Sequence, residues 1–149
     1  VLTQKKWATI NNNSDGTDTT DPVKLHQRDF QSLRVQDGRL NTTDWTVSAE
    51  ATPFTNGKKS LIGASINIAK ATEYTSDPKG KVAAKSKFKI EADGATVTTD
   101  ILKADPEARF MSDLKWDTDK VTLEFPGSVI DTGNYSSTIT WTLSGTPDV

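Results

Sequence analysis

Large apolar residues alternate with small polar ones along the C-terminal stretch of the chain. Tyr135, Ile139, Trp141 and Leu143 share one parity, and the positions between them are mostly Ser and Thr. A period of two places apolar side chains on one face of a β-strand and hydroxyl groups on the other. Turn sequences that contain glycine flank the stretch on both sides. The pattern predicts a half-buried strand around which the fold is organised.

The same alternation recurs in shorter segments along the rest of the chain. Each segment is rich in the β-branched and aromatic types that suit a pleated surface. The predicted apolar members are Leu2 and Trp7; Leu33 and Val35; Trp45, Val47 and Ala49; Ile62, Ala64, Ile66 and Ile68 in a strand over 60–72; Phe88 and Ile90; Leu114 and Trp116; and Val121, Leu123 and Phe125.

Turn signals separate these segments. Asp93-Gly94 predicts a hairpin into a strand over 95–97, residues 73–81 predict a break, and Asp105-Pro106 predicts a helical turn within 104–112. The sequence therefore predicts an all-β fold. We expect an antiparallel β-sandwich, immunoglobulin-like or a related barrel, of roughly seven or eight short strands with at most one short helical turn.

Composition is compatible with this fold and narrows the class of protein. The chain has 149 residues, which suits a single domain over 1–149, and its hydrophobic content of 34% is tolerable where every second strand residue faces water. A formal net charge of -2 argues against nucleic-acid binding. No segment has the length and apolarity of a membrane span, and no signal peptide is evident. Because the chain starts at Val1, we expect it to be part of something longer.

The residues that commonly carry catalysis or bind metal are scarce. The sequence has no Cys, which excludes disulfides, Cys-based zinc sites and a thiol nucleophile. The single His26 lies near Asp29, but a lone His among charged residues is most often a solvated surface residue. A glycosidase with two catalytic carboxylates stays open as an alternative, because the two acids can be distant in sequence. We expect no enzymatic activity and no cofactor.

Two further polar features have a functional and a plain interpretation. Asn11, Asn13 and Asp15 follow the spacing of a calcium loop, but Pro22 stands where a Glu is required, so a surface loop is favoured. Lys85, Lys87 and Lys89 can meet an anionic polymer, or simply keep an outer face soluble. We favour the second interpretation, and we predict no metal site.

Two tryptophan strands, set in similar surroundings, resemble the WxL domain of Gram-positive bacterial surface proteins. The resemblance spans roughly residues 25 to 149. The first signature comprises Leu33-Arg-Val-Gln-Asp37-Gly-Arg39, Trp45-Thr-Val47, Phe54-Thr-Asn and Leu61-Ile-Gly-Ala64. The second comprises Val121-Thr-Leu-Glu-Phe-Pro-Gly127, Gly133-Asn-Tyr135, Ile139-Thr-Trp-Thr-Leu143 and Pro147. The two Trp strands are predicted to meet in the fold.

The sequence departs from the family pattern at three points. Val47 replaces the Leu of the first Trp-x-Leu, and Leu40 stands where the family usually has Gly, so that loop can differ in conformation. Family domains also begin with a strand upstream of the segment equivalent to Val1. The resemblance therefore implies that an N-terminal strand is missing from this chain.

The resemblance implies a non-catalytic, extracellular module at the cell-wall surface that binds peptidoglycan without a covalent bond. It also implies possible partners among WxL-interacting and other WxL surface proteins and host matrix proteins. The candidate peptidoglycan contacts are Trp45, Val47, Trp141 and Leu143, because indole faces stack on sugar rings. The same four residues can instead be core residues, and the two roles are compatible. Asp37, Arg39, Tyr135, Ile139 and Thr140 are expected to be structural, with Asp37 and Arg39 forming an ion pair.

The sequence leaves an alternative function open. A protein-interaction domain that binds a partner surface protein or a host matrix protein would show the same two Trp strands.

Overall fold

The computed structural model describes residues 2–6, 30–39, 44–75, 81–106, 110–126 and 133–145. This part of the chain is all-β, with a single 3₁₀ turn at Thr118–Lys120, which confirms the predicted fold class. The predicted number of seven or eight strands is too low, because the described residues form thirteen short strands. The strands are β1 (Leu2–Lys6), β2 (Phe30–Asp37), β3 (Trp45–Ala51), β4 (Phe54–Thr55), β5 (Ser60–Leu61), β6 (Ser65–Ile68), β7 (Thr72–Thr75), β8 (Val82–Ala84), β9 (Phe88–Glu91), β10 (Thr98–Ala104), β11 (Phe110–Asp117), β12 (Val121–Glu124) and β13 (Ile139–Gly145).

The strands form antiparallel sheets arranged as a sandwich. The first sheet has the order β1-β2-β11-β7, and the second has the order β13-β3-β10-β8. A third sheet has the order β12-β6-β9, and β4 pairs with β5. Each large sheet combines strands from both halves of the sequence, so its pairing depends on long-range contacts.

The core follows the predicted period of two. Along β3, every second residue is buried, beginning with Trp45. Leu33 of β2 lies opposite Leu114 of β11 in the first sheet, and both are fully buried. Ile90 of the third sheet belongs to the same cluster. Burying a side chain of this size contributes about 1.5–3 kcal/mol, so the apolar faces of all three sheets stabilise one core.

Several local predictions are wrong. Ile62 is 80% exposed because the strand predicted over 60–72 is interrupted by a turn at Ile62 and Gly63, where Gly63 has a φ of 75°. The segment divides into β5, β6 and β7. The last of these, β7, extends to Thr75, inside the predicted break.

The predicted hairpin at Asp93-Gly94 is also wrong. A turn does occur there, but β9 pairs with β6 in the third sheet, whereas β10 pairs with β3 and β8 in the second. The next strand begins at Thr98 and not at Ala95. The turn therefore carries the chain from one sheet to another.

Several other predictions fall partly or wholly outside the described residues. β10 ends at Ala104 and β11 begins at Phe110, so the described part of 104–112 is mostly strand, and 107–109 lie outside it. The predicted N-terminal strand is present as β1, but Trp7 lies outside the description, as do Leu40, the 11–22 loop, His26 and Asp29. Among the described residues, no helix has the length and apolarity needed to cross a membrane.

Candidate functional site

The two tryptophan strands lie side by side in the second sheet. β13 runs antiparallel to β3, with Leu143 opposite Val47 and Trp141 opposite Ala49. This pairing confirms that the two halves of the signature meet in the fold.

The four candidate contact residues point toward the core side of the sheet. Trp45 is 4% exposed, and Val47 is fully buried. Trp141 and Leu143 are half-buried and pack against the same core. Burial thus favours a packing role for Trp45 and Val47, and direct contact of these four residues with a wall ligand stays a prediction.

Trp141 packs on a third tryptophan. Its ring centroid lies 6.0 Å from that of Trp116 on β11, and the ring planes are inclined by 35°. Trp116 in turn meets Phe88 edge to face, with ring centroids 6.1 Å apart and planes at 89°. The ring of Trp141 is therefore engaged on at least one side by another aromatic residue.

Trp45 and Trp141 are displaced from each other along the paired strands. Trp141 lies opposite Ala49, four residues from Trp45, and Trp45 lies opposite Gly145. At about 3.3 Å per residue, the offset is roughly 13 Å. The two indoles therefore do not form one continuous platform for a sugar chain.

The residues predicted to be structural occupy two regions. Tyr135 and Ile139 are half-buried and pack against the core, whereas Thr140 is exposed opposite Glu50. Two backbone hydrogen bonds hold the segment before β13. The Thr55 N–H donates to the Ser136 carbonyl, and the Ser136 N–H donates to the Thr55 carbonyl, both at 3.0 Å. These contacts fix how the chain enters β13.

Asp37 and Arg39 form the expected ion pair. Arg39 Nη2 lies 2.6 Å from Asp37 Oδ2, and Arg39 Nε and backbone N donate to Asp37 Oδ1. The hydrogen bond from the Arg39 side chain is the main reason that the pKa of Asp37 is lowered. The pair lies at the end of β2, and its structural role and its effect on the loop that follows stay predictions.

The opposite face of β3 and β13 is rich in hydroxyl groups. Pairs across the two strands are Thr46 with Ser144, Ser48 with Thr142, and Glu50 with Thr140. The β13 members are exposed, so this face of the sheet presents donors and acceptors to solvent.

An open depression with a volume of about 270 Å³ lies at one end of this face, and we call it the Trp45 depression. Its lining residues come from β3, β10 and β13 and from the residue before β3. They are Asp44, Trp45, Thr46, Asp100, Lys103, Ser144 and Gly145.

Asp100 has a fixed position in this depression. It lies where the register of β10 against β3 shifts, between Thr98 and Leu102, and its φ is 51°. Asp is one of the few residue types other than Gly that tolerates this left-handed region. The Thr46 hydroxyl donates to Asp100 Oδ1 at 2.9 Å. The bulge and this hydrogen bond together set the position of the carboxylate.

On the core side of the sheet, Trp45 carries an unpaired donor. Its indole N–H is buried and finds no hydrogen-bond partner in the described structure. A buried unpaired donor costs about 1–3 kcal/mol. Such groups in native proteins mark strain, an ordered water or a ligand.

Sequence reasoning did not identify Asp44, Thr46, Asp100, Lys103 or Ser144 as members of a site. No motif links them, and their proximity arises from the β3–β13 pairing and from a bulge in β10. The alternation along 45–51 and 139–145 was the only available signal, since it places Thr46 and Ser144 on the solvent face.

The remaining candidate chemistry is sparse in the described part of the chain. No group of three or more His, Cys, Asp or Glu residues is placed there to hold a metal ion. Lys85, Lys87 and Lys89 are exposed, and Lys89 pairs with Glu91 at 2.8 Å. The favoured interpretation, that this row keeps an outer face soluble, stays a prediction.

Comparison with known families gives one match. Residues 2–147 match the sequence model of the WxL domain, which is described as surface cell wall-binding. The match covers nearly the whole chain, including both Trp strands. No curated protein matches the sequence, and no solved structure matches it.

Proposed function

The chain belongs to the WxL family of surface cell-wall-binding domains, and on that premise we propose that it is a non-catalytic module that binds peptidoglycan without a covalent bond. In this proposal the module lies outside the cell, at the wall surface. The observation that carries the proposal is the family match over residues 2–147, which includes both Trp strands.

In this proposal, one face of the paired strands β3 and β13 packs against the core and the other face contacts the wall polymer. Trp45, Val47, Trp141 and Leu143 pack against the core and hold β3 and β13 together. The hydroxyl-rich face lies on the solvent side, where its β13 members are exposed. Ser and Thr hydroxyls both donate and accept hydrogen bonds, so they suit the hydroxyl and acetamido groups of a wall polymer.

Sedimentation with purified peptidoglycan tests the proposal. The protein should sediment with insoluble peptidoglycan in a saturable manner, whereas an unrelated acidic β-domain of similar size should stay in solution. Equal sedimentation of the two proteins would refute wall binding.

A Trp141→Ala variant separates the packing role from the contact role. We expect a lower melting temperature, because truncation of a packed Trp removes core contacts. Lost sedimentation with an unchanged melting curve would instead show that the indole touches the wall. The two measurements must be made on the same preparation.

Binding of a partner surface protein is a second candidate, and one observation favours it. In the described structure, β12 pairs only with β6 and lies at the edge of the third sheet. Leu123 and Phe125 on this strand and its extension are partly exposed. Exposed edge strands can accept a strand from another protein.

A Phe125→Ser variant tests this second function. If the true ligand is a partner surface protein, Phe125→Ser should no longer bind that protein. The variant should still melt at the wild-type temperature. Sedimentation with peptidoglycan should then be absent for the wild type as well. Strong sedimentation of both proteins would favour the first proposal.

A further inference from the structure

We propose that the Trp45 depression binds the charged end of the peptide stem of peptidoglycan and not the glycan strand. This inference rests on the proposed function and names the part of the polymer that is recognised. It assigns the contact to Asp44, Asp100 and Lys103, together with the hydroxyls of Thr46 and Ser144.

The two parts of peptidoglycan differ in charge. Glycan strands present neutral sugar rings with hydroxyl and acetamido groups. Peptide stems carry the amino group of a diamino acid and a terminal carboxylate. A site for the stem therefore needs groups of both signs within a few ångströms. A site for the glycan needs neutral hydrogen-bonding groups, together with an exposed aromatic face where sugar rings stack.

The depression contains groups of both signs. Asp44 and Asp100 are exposed carboxylates, and Lys103 lies opposite Thr46 on the neighbouring strand. Lys103 forms no ion pair within the described part of the chain. Its ammonium group can pair with the stem carboxylate, while the two carboxylates meet the stem amino group.

The site is organised before a ligand arrives. Asp100 is held in a left-handed conformation by the bulge in β10 and by the hydroxyl of Thr46. A group that is already in position loses less conformational entropy on binding.

The geometry argues against a sugar platform at this place. Trp45 is enclosed by the core, so its ring face does not lie open for stacking. A volume of about 270 Å³ is close to the lower limit of about 300 Å³ for small-ligand sites. The depression therefore suits the end of a side chain or peptide, and not a run of sugar rings.

Three probes distinguish the stem from the glycan. They are intact peptidoglycan, peptidoglycan from which an amidase has removed the stems, and a soluble stem peptide with its amino and carboxylate groups free. We expect sedimentation with the intact polymer, at least tenfold weaker sedimentation with the stripped glycan, and competition by the stem peptide. Acetylating the peptide amine or amidating its carboxylate should remove the competition.

Matched variants locate the contact. Asp100→Asn keeps tolerance of the left-handed backbone and an acceptor for Thr46, and it removes only the charge. Lys103→Gln removes the opposite charge. Each should weaken binding to intact peptidoglycan about two- to fivefold, the range expected for the loss of one exposed charge pair. Asp119→Asn and Lys58→Gln, which change exposed charges outside the depression, should bind as the wild type does.

The outcomes separate this inference from the proposed function. If the wild type sediments with no form of peptidoglycan, the proposed function fails. If it sediments equally with intact and stripped material, wall binding stands and the stem inference is overturned. The inference is also overturned if Asp100→Asn and Lys103→Gln both melt and bind as the wild type does.

Discussion

Trp116 and Trp141 join the two large sheets through a direct contact between their indole rings. Trp116 belongs to β11 of the first sheet, and Trp141 belongs to β13 of the second. Trp116 also meets Phe88 of the third sheet. The Trp of the second signature is thus bound to the core through a Trp outside both Trp-x-Leu motifs.

This contact predicts that truncating Trp116 or Trp141 lowers stability by unequal amounts, and that the two effects are coupled. Trp116→Ala should lower the free energy of unfolding by about 3–5 kcal/mol, as expected for a buried aromatic residue. Trp141→Ala should cost less, because the Trp141 ring is half-buried. A double-mutant cycle measured by urea unfolding should give a coupling of about 0.5–1.5 kcal/mol between the two rings. Strictly additive effects would show that the rings do not interact.

Gly145 should not accept a side chain, because it lies opposite Trp45 on the neighbouring strand. A Cβ atom at Gly145 would stand 3.0 Å from the Asp44 carbonyl oxygen and 3.1 Å from Trp45 Cβ. Gly145→Ala should therefore lower the free energy of unfolding by about 1–3 kcal/mol, the usual cost of overpacking.

Gly38→Ala is the matched control for this crowding. Among the described residues, apart from its two chain neighbours, no atom lies within 4 Å of a Cβ added at Gly38, and its φ lies outside the left-handed region. The free energy of unfolding of the control should differ from that of the wild type by no more than about 0.5 kcal/mol, as for a neutral surface substitution. An equal loss in both variants would attribute the effect to glycine itself and not to Trp45.

The pairing of the Trp strands was predictable, whereas the depression was not. Alternation around Trp141 and Trp45 is strong, and two strands with similar signatures are natural partners. The position of Asp100 depends on a register shift between β10 and β3, which no local pattern encodes. Ile62 shows the same limit, since its apolar character fits the strand period while the Gly63 turn exposes it.

Arg34 and Asp113 form a bidentate ion pair across β2 and β11. Arg34 Nε and Nη2 donate to the two carboxylate oxygens at 2.7 and 2.8 Å, and Asp113 is 2% exposed. The side-chain hydrogen bond raises the pKa of Arg34. Arg34→Ala would leave a buried carboxylate unpaired, so we expect a loss of about 1–3 kcal/mol in the free energy of unfolding.

Two further variants test whether the loss of stability comes from the unpaired charge on Asp113. Arg34→Lys keeps the positive charge but loses the two-pronged geometry of the guanidinium group. Its free energy of unfolding should lie between those of the wild type and Arg34→Ala. Adding Asp113→Asn to Arg34→Ala should recover part of the lost stability at pH 7. No recovery would show that packing of the Arg34 side chain, and not charge pairing, is the main contribution.

Asp93 makes the stability of the turn between β9 and β10 dependent on pH. Its carboxylate accepts the Thr96 hydroxyl and the backbone N–H groups of Thr96 and Ala95, the latter two at 2.7 and 2.8 Å. These bonds, led by the Thr96 hydroxyl, lower the pKa of Asp93 from 3.8 to about 2. Because the folded pKa is below the unfolded one, the stabilisation is fully present above pH 4 and is lost as the pH falls toward 2.

Carbon-detected NMR titration of the Asp93 carboxyl group measures this shift directly. We expect a midpoint near pH 2 in the wild type and a higher midpoint in Thr96→Val, which loses the strongest of the bonds. In thermal melts, the advantage of the wild type over Thr96→Val should shrink between pH 4 and pH 2, since protonation of Asp93 weakens the same contact. A midpoint near 3.8 in both proteins would mean that the turn does not hold the carboxylate in its charged form.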